Sequence, residues 1–513
     1  MLRGKSYTEY VYGRHARPLL HDLSSESSFN LIREWGHQSP LPTRVIDVSR
    51  EDPHLFTSNG LKCPYITLSH CWGGEQPLIT TKATLDERTI GIPMQSLPPL
   101  YCDAVIVTRR LGIQYLWIDS LCILQDCKDD WRKEAAKMGE IYRLSYVTLS
   151  ALSAPNCRQG ILIQRPSDPN KPTQSEAQGN VIDLRDRPKG YVFKEAPLSQ
   201  RAWAVQERLL SPRILHYSTN ELFWECLFCS ARESNFRVIP SKPKPYSYDT
   251  YECMQVKVPL LLPLDPNPSY PVSSPSDWNI IVAEYTRCRL TLSSDKLPAL
   301  SGLASLFQRN TRYTYLAGLW AEDLGNGLLW FCPDKQTQTI EHQVDAYRGP
   351  SWSWVSTDLA VQSITFRTPS GAWNYSTTEI KLLDFNIRHA GPDPLGEVLS
   401  AVITVQAFFY RLTYESEAGT KNCTVYGSGG DGFGKGILDA FDEEPGFRKQ
   451  CAGLCIARRR RGVSRGPAPT VTYFLVVVPV LNAGEECWKR VGLAWTPWLL
   501  THSAPEMSVI RLV

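Results

Sequence analysis

The sequence predicts an α/β domain built on a mainly parallel open sheet flanked by helices, followed by a β-rich C-terminal region. Three observations point there. Between Arg44 and Cys229, short β-branched stretches alternate with stretches of helical period, the pattern of strand–helix units around a parallel sheet. A Pro/Ser-rich segment, 239–277, then interrupts the chain. Beyond Tyr315, aromatic-rich strand patterns dominate.

The elements follow in order. Residues 1–42 are polar and irregular and read as an N-terminal extension. TRVIDV and CPYITLSHCW read as strands, and residues 100–111 as a helix with Ala104, Val107 and Leu111 on one face. YLWIDSL (115–121) reads as a compact strand. Residues 129–143 form the clearest helical pattern, because Trp131, Ala135, Met138 and Tyr142 recur at the spacing of one buried stripe. Asp129 and Asp130 stand at its start, where carboxylates suit the helix dipole. YVTLSAL is a strand, 201–210 a short helix, and 214–217 and 221–225 strands. Residues 155–195, rich in Gly, Pro and charge, read as an insertion. The division expected is an extension (1–42), an α/β domain (43–235), a Pro/Ser-rich linker (236–277) and a β-rich region (278–513).

Composition narrows the function classes. Hydrophobic content of 42% and charged content of 21% over 513 residues are ordinary for a globular chain. The formal charge of +3 gives no global field for nucleic acid. The first residues, MLRGKSYTEYVYGRHARPLL, lack the apolar core of a secretory signal. The longest apolar run, 473–481, is too short for a membrane helix and reads as a buried strand. The 15 scattered cysteines read as reduced thiols of a cytoplasmic protein. No nucleic-acid partner, membrane span or metal site is expected.

Three motifs stand out. In YITLSHCWGG (65–74) a strand runs into a glycine turn, so Ser69, Trp72 and Gly73 lie where the chain leaves the sheet. In open α/β sheets that edge holds the functional groups. A strand end with an aromatic plug explains the same residues. In LWIDSLCILQD (116–126), continued by DWRKE and MGEIY, Asp119 ends a strand. Glu134 falls at the border of the stripe begun by Trp131, where its carboxylate can reach a cleft or simply face solvent. In QRAWAVQER (200–208), Arg201, Gln206, Glu207 and Arg208 surround Trp203. The two arginines, two turns apart, can share a face and grip an anion, or the group can be an internal ion-pair network.

Weaker signals remain. Cys226-Leu-Phe-Cys229 has metal or redox spacing without a second ligand pair. His70 and Cys122 are a possible thiol–imidazole couple. Arg458–Arg461, ahead of a Gly/Pro stretch, read as a solvated loop, with an anion patch or nuclear signal as alternatives.

In that order, YITLSHCWG, LWIDSLCILQ with DWRKEAAKMGEIY, and RAWAVQER resemble the three blocks of the fungal heterokaryon-incompatibility (HET) domain family. The match spans 65–208. DKLPALSGLA (295–304), YLAGLW (315–320) and PSWSWVS (350–356) resemble segments that follow such domains. His70 stands where the family more usually has tyrosine, and Leu124 where it has asparagine. The resemblance implies fungal non-self recognition and programmed cell death, self-association through the HET domain, and an incompatibility partner protein. It also implies an open sheet of TIR-like or flavodoxin-like kind. By the TIR analogy Glu134 is the candidate catalytic residue of an NAD-cleaving activity. NAD would then be a substrate, with Arg201 or Arg208 holding its phosphate. An inactive, binding-only member is the third reading.

Overall fold

The computed structural model describes residues 39–513 except 75–77, 164–173, 178–179, 184–188, 228, 234, 241–256, 258–259, 262–273, 334–346, 365–372, 428–431, 462–469, 483 and 498–505. Most of the expected extension and linker lies outside the described residues.

The N-terminal part is a nine-stranded sheet. Its strands are β1 (Arg44–Asp47), β2 (His54–Thr57), β3 (Tyr65–Ser69), β4 (Tyr115–Trp117), β5 (Val147–Ser150), β6 (Arg213–Tyr217), β7 (Leu222–Cys226), β8 (Cys229–Arg232) and β9 (Asn235–Pro240). They lie in the order β9-β8-β7-β6-β5-β3-β4-β1-β2. The centre, β4-β3-β5-β6, is parallel. Antiparallel strands extend it on both sides. Every residue of β3, β4 and β5 is buried, as a parallel strand covered on both faces requires. Each fully buried Ile, Leu or Val contributes roughly 1.5–3 kcal/mol.

Helices cover the sheet. Helix α1 (Pro99–Arg110) begins with a proline at its first turn and buries Leu100, Tyr101, Ala104, Val105 and Val107. The expected helix over 129–143 is two helices, α2 (Lys128–Ala135) and α3 (Met138–Leu144). Ala136 and Lys137 break the run, and Gly139 then meets a later helix. The expected strand 115–121 ends at Trp117, and Asp119–Cys122 forms a helical turn. Helix α4 is Ala202–Leu210.

Two downstream helices, α5 (Pro275–Tyr285) and α6 (Pro298–Thr311), pack on α4. Gly139 of α3 and Gly302 of α6 approach so closely that a Cβ on either would stand 2.6 Å from the other's Cα. The Tyr315–Leu316 and Leu319–Trp320 hairpin turns through Ala317 and Gly318, both at positive φ. The Gly318 carbonyl accepts from the indoles of Trp278 and Trp354, each at 2.9 Å. YLAGLW and PSWSWVS thus share one aromatic core with α5.

Among the described residues the C-terminal part is antiparallel but for Trp488 beside Leu512. Strands β10 (Lys381–His389), β11 (Val398–Ser416), β12 (Asn422–Tyr426), β13 (Gly432–Leu438), β14 (Lys449–Arg461), β15 (Thr470–Asn482), β16 (Glu485–Thr496) and β17 (Glu506–Leu512) carry it. Six close into a barrel, β11-β14-β15-β16-β13-β12 and back to β11. Tyr410, Leu412, Val425, Phe474 and Val476 pack together as one buried cluster. The expected strand at 473–481 is β15. The arginine run lies on β14, not in a loop: Arg459 is buried and donates to the Ile364 carbonyl and Asn326.

Candidate functional site

Ser69 is the last residue of β3, and Asp119 follows β4, so both sit at the carboxyl ends of adjacent parallel strands. Arg201 caps the start of α4 from the third motif, and Glu207 lies within that helix. The fold brings these residues together into one polar network.

At its centre the Ser69 hydroxyl donates to Glu207 Oε2. The Tyr142 hydroxyl lies between the Leu68 carbonyl, at 3.3 Å, and the Glu207 carboxylate. Glu207 is 2% exposed. Burial pushes its carboxyl up to about 7, against the pull of Arg201 and of the Ser69 and Tyr142 hydrogen bonds. Arg201 also donates to the His70 carbonyl.

The other half of the network surrounds Asp119. Trp72 Nε1 donates to Asp119 Oδ2 at 3.0 Å, and the Ser120 amide to Oδ1 at 2.7 Å. His70 Nε2 pairs with the Tyr101 hydroxyl at 3.0 Å, and that hydroxyl meets Ser120 Oγ at 2.8 Å. His70 Nδ1, buried without a hydrogen-bond partner, stands 3.8 Å from Asp119 Oδ1. Burial lowers the imidazole to about 4 although Asp119 favours its charged form. The expected His70–Cys122 couple does not form. His70 turns to Tyr101, while burial raises the Cys122 thiol to about 12.

Gly73 is required twice over. Its φ is +78°, and a Cβ there would stand 2.1 Å from Asn156 Cβ. The turn brings the first motif against the loop after β5.

Glu134 is elsewhere. Its Oε1 accepts from Thr43 Oγ1 at 2.8 Å and Lys137 Nζ at 2.9 Å, and the residue is 1% exposed. The expectation of a carboxylate reaching a cleft is therefore corrected. The break after α2 folds Lys137 over Glu134, and Thr43, just ahead of β1, lies beside it.

The two arginines of the third motif do not share a face. Arg208 makes a bidentate pair with the buried Glu225 at 2.8 and 3.1 Å and lies over the Phe193 ring. Arg201 turns to His70, so no anion grip joins them. Trp203 Nε1 donates to Asp295 at 3.1 Å and meets Trp131 edge to face at 6.4 Å. Gln206 Oε1 accepts from the Gly302 and Leu303 amides at 2.8 and 3.3 Å. Trp203 and Gln206 thus dock DKLPALSGLA onto the sheet domain.

Tyr101, Ser120 and Tyr142 belong to the network and were not singled out as site residues. Tyr101 and Tyr142 carried a signal: each is a tyrosine on an otherwise apolar buried stripe, where its hydroxyl needs a partner. Ser120 carried none. Among the described residues no cluster of His, Cys, Asp or Glu can hold a metal ion, and no helix is long and apolar enough to cross a membrane.

The fold and network define a mixed α/β domain whose three motifs converge at the carboxyl end of a parallel sheet. Residues 65–207 match the family model described as "Heterokaryon incompatibility protein (HET)", so the chain carries a heterokaryon-incompatibility domain over that segment. Comparison with curated proteins and with solved structures gave no match. The domain supports a general role in heterokaryon incompatibility.

Proposed function

We propose that the chain triggers fungal non-self recognition and programmed cell death as a cytoplasmic signalling module that self-associates through its HET domain. The observation that carries this reading is the closure of its acidic groups. Glu207 and Glu134 are 2% and 1% exposed, and each accepts from side chains of its own domain, Glu207 from Ser69 and Glu134 from Thr43 and Lys137. A carboxylate that stabilises charge in a reacting substrate must reach it. The parts of the network nearest solvent are Asp119, Trp72 and Arg201, each half-buried. In this reading they are the part of the network that a partner protein or a second copy would meet.

A TIR-like sheet with NAD cleavage at Glu134 is the alternative reading. It requires Lys137 and Thr43 to swing away from the carboxylate. An inactive, binding-only member would keep the network and lose toxicity. The test is co-precipitation of two differently tagged full-length copies from fungal cells in which expression causes death. Association is expected. Copies that remain monomeric in dying cells overturn the proposal.

A further inference from the structure

Cys226 ends β7 and Cys229 begins β8. Glu225 pairs with Ser230 and Trp224 with Ala231, so the next rung of the same register sets Cys226 opposite Cys229. Their sulfurs are 3.5 Å apart. A disulfide needs about 2.0 Å between sulfurs and roughly 4.4–6.8 Å between Cα atoms. Directly opposed residues of a hairpin, about 4.5–5.5 Å apart at Cα, meet the second condition, and a sulfur shift of about 1.5 Å meets the first.

The surroundings divide the roles. On its other side Cys226 pairs with Arg213 of β6. The Arg213 guanidinium is fixed by the Tyr146 carbonyl at 2.7 Å, and its charge interacts favourably with a Cys226 thiolate. Cys229 is held protonated, first by its hydrogen bond with Cys226 and then by burial. Both thiols are half-exposed, whereas Cys71, Cys122 and Cys157 are buried.

We propose that Cys226 and Cys229 form a reversible redox site, a dithiol oxidised to an intramolecular disulfide by hydrogen peroxide. The Cys226 thiolate attacks one peroxide oxygen. The O–O bond breaks, and a sulfenic acid forms as hydroxide leaves. The Cys229 sulfur then attacks the Cys226 sulfur, and the S–O bond breaks. The departing hydroxide and the Cys229 proton leave as water. Overall, two thiols are oxidised and one peroxide is reduced to two waters. A dithiol reductant reverses the step by exchange. The bond would tie the hairpin end beside Glu225, the residue that holds Arg208 of the third motif.

The full-length chain is treated with hydrogen peroxide under native conditions, alkylated with iodoacetamide, digested with trypsin and mapped by mass spectrometry. Cleavage after Arg213 and Arg232 gives a peptide, 214–232, that contains Cys226 and Cys229 and no other cysteine. The expected peptide is two hydrogens lighter than the dithiol and carries no alkyl group. After dithiothreitol it takes up two. In Cys229→Ser the reaction stops at a Cys226 sulfenic acid, which dimedone captures. A wild-type peptide with both cysteines alkylated, at peroxide levels that oxidise the half-exposed Cys63, overturns the proposal. So does Cys226 over-oxidised beside a reduced Cys229, or paired with another cysteine. If the Cys229→Ser chain does not fold, the wild-type mapping alone decides.

Discussion

The Ser69 hydroxyl donates to the Glu207 carboxylate across 138 residues of chain, tying the first HET motif to the third inside the buried end of the sheet.

Ser69→Ala leaves Glu207 with one fewer partner in a buried site. The expected loss is about 1–3 kcal/mol of unfolding free energy, read from urea denaturation. Glu207→Gln combined with Ser69→Ala should lose less than the sum of the singles, with a coupling of roughly 0.5–3 kcal/mol. Strict additivity would mean that the two side chains do not interact.

Glu207 and His70 make stability depend on pH with opposite signs. Glu207 titrates near 7 in the folded chain against an ordinary 4.5. Between those values the folded state holds a proton that the unfolded state has lost. Its contribution is complete below 4.5 and is lost as pH rises through about 7. His70 titrates near 4 against an ordinary 6.5. Its contribution is complete above 6.5 and is lost as pH falls toward 4. Denaturation of wild type and Glu207→Gln from pH 4 to 8 separates the two. The variant should lack the decline between 4.5 and 7 and keep the acid-side loss.

Glu134→Ala removes the shared acceptor of Thr43 and Lys137 and should destabilise the fold by about 1–3 kcal/mol. Glu134→Gln keeps an oxygen for both donors and should cost less. Equal stability of all three proteins, measured by thermal unfolding, would show that the contacts of Thr43 and Lys137 with Glu134 contribute nothing.

Gly302→Ala drives a methyl group into Gly139, and Gly139→Ala does the reverse. Overpacking at such a crossing costs roughly 1–3 kcal/mol. The same contact predicts that a chain cut at residue 235, which lacks α6, has a lower melting temperature or precipitates. It would leave Gln206 without the Gly302 and Leu303 amides.

How much of this was legible in the sequence follows from the range of the forces involved. β3, β5 and β15 were legible because they are rich in β-branched and aromatic residues. Helix α4 was legible because its pattern is local. Asp119 and Ser69 were placed at the sheet's carboxyl edge because strand ends are readable. Glu134 was misplaced because the apolar stripe runs unbroken from Trp131 to Tyr142 across the break at Ala136 and Lys137, and the one local hint, Gly139, takes its meaning from Gly302, far downstream. The separate fates of Arg201 and Arg208 depend on His70 and Glu225, which lie far apart in sequence. The docking roles of Gln206 and Trp203 were not legible because their partners, Gly302, Leu303 and Asp295, lie more than 90 residues downstream. The arginine run at 458–461 read as a loop because strand pairing with β15 is invisible to composition.

The most direct test of signalling by assembly is to express wild type and Glu134→Gln at equal abundance in a fungal host, measuring cell death and cellular NAD together. The account predicts equal death from both, with NAD undiminished before death begins. Death and early NAD loss from wild type, both abolished in a folded Glu134→Gln chain, would contradict it.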